Sequence, residues 1–339
     1  MNMKFFYSLF FLTIVALTHS AFAQATYFTD ILGKEFKQAT IVQPGDYEGS
    51  VTCTIIRKTT PEKSTKAVLY VHGFNDYFFQ EEMAERFLKE GYNFYAVDLR
   101  KYGRSWLAHQ KFNNVRDLSE YFADIDTTLS IIHNEGNTKV LLMGHSLGGL
   151  VVSMYADANS GKERFDAVLL NSPMFALEFK SGLKKTALPL MIKRAEKHPE
   201  TLIDLGLNPL YGESLHKDFH GEWSYSLGFK PLIAPPVNFG WLRAVNIGQE
   251  KLAQGLQINK PVLVLHAAKS IDEKKWSDAM FSGDAILNVS EVARQAQNIV
   301  GQYSIQSVPG GMHDLVLSRK PVREEVYSTI FNWAKRAIK

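Results

Sequence analysis

Gly144-His145-Ser146-Leu147-Gly148 sets one serine between two glycines, after an apolar run from Lys139 to Met143 and before a helix-forming stretch from Leu150 to Ala158. A strand, a Gly-x-Ser-x-Gly turn and a helix in that order make a tight elbow whose serine backbone is strained and whose hydroxyl stands clear of the strand ends. Glycine at 144 and 148 leaves room for the neighbouring strand and helix. The Leu147 amide, at the start of the helix, points at the same spot as the Ser146 hydroxyl. Such a serine can attack a carbonyl and hold the acyl group covalently until water removes it. A phosphate-binding turn or a plain strand-to-helix turn can carry the same five residues, and only the flanking elements favour the nucleophile.

A serine hydroxyl is a poor nucleophile at neutral pH and needs a base. Ten histidines are available. His19 falls in the N-terminal apolar segment, His145 adjoins the nucleophile and is expected to point elsewhere, and His72 and His266 end strands, where a structural role is expected. His313 differs, because Pro309-Gly310-Gly311 joins it flexibly to the strand Tyr303 to Val308. It is the expected general base. The acid that orients it belongs between the two in the order Ser, Asp/Glu, His. Asp272, Glu273, Asp278 and Asp284 follow the strand that ends at His266. Asp272 sits in a charge run with Glu273, Lys274 and Lys275, whereas Asp284 is followed by Ala285-Ile286-Leu287 ahead of a helix opened by Asn288 or Ser290. Packed apolar neighbours anchor a carboxylate, so Asp284 is preferred, with Asp272 and Asp278 as alternatives. After the strand Ala67 to Val71, the bend His72-Gly73-Phe74 can turn the Phe74 amide toward the reacting carbonyl oxygen. With the Leu147 amide it would form a two-donor oxyanion hole.

These residues need a frame to hold them. Val51 to Ile56 and Ala67 to Val71 read as strands, the second with the continuous apolar character of a sheet covered on both faces. Gln80 to Lys89 reads as a helix, Tyr92 to Val97 as a strand, and Val115, Leu118, Phe122, Ile125, Leu129 and Ile132 form one apolar helix stripe. Ala167 to Leu170, Pro261 to His266 and Tyr303 to Val308 add strands, and Val322 to Ile338 a closing helix. Such alternation predicts an α/β protein with a mostly parallel sheet, helices on both faces, and its chemistry at the carboxyl ends of the strands. From about Pro173 to Gly248 no clear strand is found, and prolines, glycines and aromatics such as Tyr211, Trp223, Tyr225, Phe229 and Pro231 crowd together. A segment this long inside a compact domain is expected to be an inserted cap that roofs the site and excludes water.

With 339 residues the chain can bury one large core. A net charge of +3 is too close to neutral to suggest nucleic acid as a partner. No zinc-type His/Cys spacing occurs and the proposed chemistry needs no cofactor, so neither metal nor cofactor is expected. At the N-terminus, Lys4, the apolar run Phe5 to Leu17 and Ala21-Phe22-Ala23 predict a signal peptide over residues 1–23 and export to the periplasm or outside the cell. The run is shorter than the roughly 20 apolar residues of a membrane span. The single cysteine, Cys53, shares a strand face with Val51 and Ile55 and is expected to be a buried packing residue.

Taken together, the residues resemble the α/β-hydrolase superfamily, in the branch of lysophospholipases, monoacylglycerol lipases and serine-aminopeptidase-like domains. The resemblance spans about Lys66 to Lys339. It is carried by Val71-His72-Gly73, by Asp98-Leu99-Arg100-Lys101-Tyr102-Gly103-Arg104-Ser105, by the elbow and by the His313 loop. Asn75-Asp76-Tyr77-Phe78-Phe79-Gln80, Trp276-Ser277-Asp278 and Asp284-Ala285-Ile286-Leu287-Asn288-Val289 look like a bacterial, lysophospholipase-like subgroup, which implies Asp284 as the acid. Two departures stand out. The family's Arg-Gly-His-Gly-Arg-Ser run reads Arg100-Lys101-Tyr102-Gly103-Arg104-Ser105, and the stretch before Asp284 is longer than usual.

The expected reaction is hydrolysis of a carboxylic ester, a monoacyl lipid or a similar small apolar ester, through an acyl-enzyme on Ser146. An aminopeptidase would use the same three residues plus an acidic recess for the substrate amine, for which Glu178, Glu213 and Glu222 are available. A catalytically silent scaffold used for binding is the third reading. Phe179, Leu183, Leu188, Met191 and Ile192 alternate with Lys180, Lys184, Lys185, Lys193, Arg194 and Lys197, divided by Pro189. That pattern suits transient contact with an anionic membrane surface, or a cap helix with a solvated basic face.

Overall fold

The computed structural model of the protein describes residues 25–177, 183–204 and 208–338. The expected signal peptide over 1–23, together with Glu178, Phe179 and Lys180, lies outside the described residues.

The chain opens on three strands, β1 (Phe28–Asp30), β2 (Gly33–Asp46) and β3 (Gly49–Lys58), and then alternates. β4 (Lys66–Val71) leads to α1 (Glu81–Lys89), β5 (Tyr92–Asp98) to α2 (Phe122–Asn134), and β6 (Lys139–His145) to α3 (Leu147–Ala158). β7 (Ala167–Asn171) precedes a long excursion through α4 (Leu183–Ala195), β8 (Leu202–Ile203), α5 (Leu210–Leu215), β9 (Val237–Asn238) and α6 (Phe239–Gln254). β10 (Leu256–Ala267), α7 (Val289–Ala296), β11 (Ile299–Val308) and α8 (Lys320–Ala337) complete the fold.

Nine strands form one sheet in the order β1-β2-β3-β5-β4-β6-β7-β10-β11. The first four in that order pair antiparallel, and from β5 to β11 every pairing is parallel. A strand covered on both faces shows alternate residues to two cores. Leu69, Val71, Val140 and Leu142 face α2, α3 and α6 through Ile125, Leu129, Leu150, Val151, Leu242 and Val245. Val68, Tyr70, Leu141 and Met143 face α1 and α8 through Met83, Phe87, Val326, Ile330 and Phe331. Cys53 is buried on β3 beside the Gln43 amide, in keeping with a packing role.

Four elements differ from the sequence expectation. β1 and β2 carry no clean alternation of apolar residues: β1 is the short edge strand, and β2, paired between β1 and β3, leaves most of its side chains half-buried or exposed. The apolar stripe from Val115 begins in a loop and in a short 3₁₀ turn, Leu118–Tyr121, whose capping box joins Asp117 and Glu120. Pro189 lies within α4 instead of dividing it. Between β7 and β10 the only strands among the described residues are the paired two-residue β8 and β9. The last part of that stretch, α6, packs into the core with Trp241, Leu242 and Val245.

Candidate active site

Ser146 caps α3 with φ of 52° and ψ of −118°, a region L-residues seldom adopt. The turn is held because the Ser146 amide donates to Asn171 O (3.1 Å) on β7 and its carbonyl accepts from Gly149, Leu150 and Met174. Glycine is required on both sides of it. A Cβ on Gly148 would lie 2.3 Å from His72 O and 2.4 Å from Val71 O, and one on Gly144 would lie 2.5 Å from Gly148 O. All are backbone atoms that cannot swing aside. Gly148→Ala is therefore expected to destabilise the fold by about 4 kcal/mol or more, measured by urea unfolding, or to abolish soluble expression. A stability within about 1 kcal/mol of the parent would show that β4 and α3 can part cheaply.

His313 follows β11 through Pro309-Gly310-Gly311, with Gly310 at φ of 72°. Its Nε2 lies 3.0 Å from Ser146 Oγ and its Nδ1 lies 2.8 Å from Asp284 Oδ2. An ionised carboxylate only accepts, so Nδ1 carries the proton and Nε2 is left to accept from the serine hydroxyl. Asp284 follows Gly283 in the loop after β10 and is fastened by backbone. Its amide donates to Lys269 O (2.9 Å), and its Oδ1 accepts from the Ile286 and Leu287 amides, both at 2.8 Å. Ser146, Asp284 and His313 are all buried. Asp272 is exposed and pairs with Lys274, and Asp278 opens a 3₁₀ turn, so neither is brought to His313.

The loop after β4 crosses directly over the serine. A Cβ on Gly73 would sit 3.0 Å from Ser146 Cβ. The Phe74 ring is pinned against Trp241 of α6 at 4.7 Å, and the Phe74 amide donates to no acceptor among the described residues. Leu147 is the first residue of α3, where an amide has no partner within the helix. Both amides are thus free for an incoming oxygen.

Several residues at the site gave no signal of their own in the sequence. His145 does not turn away from the site. Its ring lies 4.9 Å from that of His313 and it lines the same cavity, with Nδ1 3.1 Å from Asn171 O. Burial lowers its pKa, against the pull of Asp314, and holds the ring neutral. Asp314, next to His313, is buried and accepts from Asn171 Nδ2 (2.7 Å) and Gln80 Nε2 (3.2 Å). Its amide donates to the Tyr211 hydroxyl (3.1 Å), and the Tyr211 ring stands edge-on to His313. Tyr211 stays a phenol, since burial and then the nearby Asp314 push its pKa well above the ordinary value.

Above these groups the stretch between β7 and β10 closes a small cavity of about 90 Å³. Phe74, Asn75, Asp76, His145, Ser146, Ile286 and His313 line it from the sheet side, and Met174, Tyr211, Tyr225, Lys230, Pro231 and Leu232 from the inserted side. Three successive residues of the loop after β4 tie the two sides together. Asn75 Nδ2 donates to Pro231 O (2.9 Å), Lys230 Nζ donates to Asp76 Oδ1 (2.9 Å), and the Ser226 amide donates to Tyr77 Oη (2.7 Å). Glu213 and Glu222 do not line the cavity; Glu222 pairs with Arg323. Among the described residues no group of His, Cys, Asp and Glu is placed to hold a metal, and no helix is long and apolar enough to cross a membrane.

Known proteins share this framework. The family model for serine aminopeptidase S33 hydrolases matches residues 62–317. The AB hydrolase superfamily protein YisY of Bacillus subtilis (strain 168) is 25% identical over 214 residues, covering 60% of this chain and 74% of that protein. A soluble variant of monoglyceride lipase from Saccharomyces cerevisiae superposes with a TM-score of 0.65 at 17% identity, over 93% of this chain and 100% of that one. The monoacylglycerol lipase of Paleococcus ferrophilus gives 0.59 at 21% identity over 82% and 96%. A thermostable carboxyl esterase from Bacillus coagulans gives 0.61 at 15% identity over 90% and 99%. At such identities the structural likeness establishes the α/β-hydrolase fold, and the family match over most of the chain establishes the rest: this protein belongs to the serine aminopeptidase S33 family of α/β-hydrolases.

Proposed function

We propose that the protein hydrolyses carboxylic esters with a small apolar acyl or alcohol part through an acyl-enzyme on Ser146. The observation that carries this reading is the unbroken row Ser146 Oγ, His313, Asp284, with contacts of 3.0 and 2.8 Å, beneath a half-apolar roof. His313 takes the proton from Ser146 Oγ as it attacks the ester carbon, and Asp284 holds the imidazolium that forms. The tetrahedral oxyanion lies against the Phe74 and Leu147 amides. Collapse expels the alcohol, which receives the proton from His313. Water then enters, gives a proton to His313 as it attacks the acyl carbon, and the bond to Ser146 Oγ breaks as His313 returns that proton to it, releasing the acid.

The size of the cavity favours a short acyl chain. About 90 Å³ is well below the roughly 300–1,000 Å³ of sites that engulf drug-sized ligands. A monoacyl lipid would have to extend its chain beyond this cavity. 4-Nitrophenyl esters of rising chain length are expected to give their highest kcat/KM at two to four acyl carbons, and a fluorophosphonate is expected to label the peptide containing Ser146. A steady rise to ten carbons or more would favour lipid as the substrate class. Cleavage of aminoacyl anilides without ester turnover would favour the aminopeptidase reading that the family name suggests.

A further inference from the structure

Among the described residues that line the cavity, Asp76 is the only acid and Lys230 the only lysine or arginine. They face one another across it, Lys230 Nζ to Asp76 Oδ1 at 2.9 Å, and both side chains are almost wholly buried. We propose that Lys230 sets the substrate charge this site accepts: by neutralising Asp76 it shuts out substrates that carry an ammonium group and keeps the chain to neutral esters. The inference rests on the ester-hydrolase reading and adds a specificity determinant to it.

Position gives the pair its leverage. Asp76 lies two residues beyond Phe74, on the loop that crosses Ser146, so groups attached to the reacting carbonyl come within its reach. A buried carboxylate there, left alone, would be the natural seat for a substrate ammonium, as an amine-releasing peptidase requires. Here the seat is already taken by a cation that belongs to the protein. An incoming ammonium meets Lys230 as a like charge, and in a water-poor cavity like charges are not screened. The backbone that carries Lys230 is fastened to the same loop, by Asn75 at Pro231 and by Tyr77 at Ser226. The carboxylate is ionised at neutral pH. Burial pushes Asp76 up, but Lys230, helped by His72 and His145, outweighs it and holds the group below its ordinary range. The other carboxylates nearby are committed, Asp284 to His313 and Asp314 to Asn171 and Gln80.

The test uses two pairs of isosteric esters, each differing by one positive charge. One pair is the 4-nitrophenyl esters of β-alanine and butanoate, charged on the acyl side; the other is acetylcholine and 3,3-dimethylbutyl acetate, charged on the alcohol side. The quantity read is the ratio of kcat/KM for the charged over the neutral member. Lys230→Met is expected to raise that ratio by about tenfold or more in at least one pair, and Asp76→Asn to lower it in the same pair. Lys230→Arg keeps the charge and is expected to keep the ratio within about threefold of the parent. A merely structural tie would move charged and neutral esters together in every variant and leave the ratios flat, which would overturn the proposal. Ser146→Ala, assayed on the same esters, separates the two levels. If it leaves their hydrolysis untouched, the ester-hydrolase reading fails; if it abolishes hydrolysis while the ratios stay flat, the charge proposal alone fails.

Discussion

Ser146→Ala is expected to lower kcat on the best ester by roughly 10⁵- to 10⁶-fold while leaving the melting temperature unchanged within a few degrees. The change removes one oxygen. Ser146 makes its structural bonds through the backbone, to Asn171 O and from Met174 N, and alanine retains those. The hydroxyl's only side-chain partner among the described residues is His313 Nε2. His313→Ala should cost about as much, and the double variant no more than either single one, because a nucleophile without its base and a base without its nucleophile are equally idle. What remains would come from the Phe74 and Leu147 amides and from holding the ester in place. The rates require protein free of parental enzyme, checked by the loss of fluorophosphonate labelling. Losses that multiply in the double variant, or a Ser146→Ala rate within tenfold of the parent, would mean that attack comes from elsewhere.

Much of the framework is legible in the sequence because the parallel strands are covered on both faces. Ala67 to Val71 and Val140 to Met143 are continuous apolar runs, and burial on both faces leaves no polar option at those positions. The elbow is legible for a related reason. Gly144 and Gly148 stand where a Cβ would strike backbone, so sterics write themselves into the residue types. Asp284 was preferred over Asp272 on its apolar neighbours, and the structure brings it to His313 through the amides of two of those neighbours, Ile286 and Leu287.

What stays hidden depends on distant partners. Lys101 illustrates this. It replaces a glycine of the family pattern, adopts φ of 65°, and is fully buried. It is tolerated because its ammonium reaches Asp46 Oδ2 at 2.6 Å and Glu48 Oε2 at 2.8 Å, at the turn between β2 and β3. β2 leaves most of its side chains half-buried or exposed and shows no apolar period, so the sequence does not reveal the partners of Lys101. The next residue of that run, Tyr102, sets its ring 5.0 Å from His72, whose Nε2 accepts from the Leu99 amide. The same limit applies to Lys230. It sits 154 positions from Asp76 among prolines and aromatics with no periodicity, and only the closed fold joins them. His145 shows that adjacency also misleads. Next to Ser146 along the chain, it nevertheless faces the same cavity, with its Nδ1 fixed to Asn171 O.

Asp284→Asn is expected to reduce kcat by about 10⁴-fold with little change in KM or in stability, whereas Asp272→Asn stays within about twofold of the parent. The asymmetry follows from which atoms are already engaged. Asp284 Oδ1 is held by two amides at 2.8 Å, so an asparagine must keep its one oxygen there and present its Nδ2 to His313. A donor now faces Nδ1, which was itself a donor, at a contact of 2.8 Å. The imidazole can relieve the clash only by moving its proton to Nε2, and in that form it cannot accept from the Ser146 hydroxyl 3.0 Å away. The three side chains keep their places and the base is lost. Asp272 has no such consequence, since it is exposed and pairs with Lys274. Fluorophosphonate labelling of Asp284→Asn should slow in step with kcat, because labelling also needs the serine proton removed. If the turnover of Asp284→Asn lies within tenfold of the parent while Asp278→Asn or Asp272→Asn falls by orders of magnitude, the orienting carboxylate is not the one beside His313, and the loop between β10 and α7 must move enough to bring another.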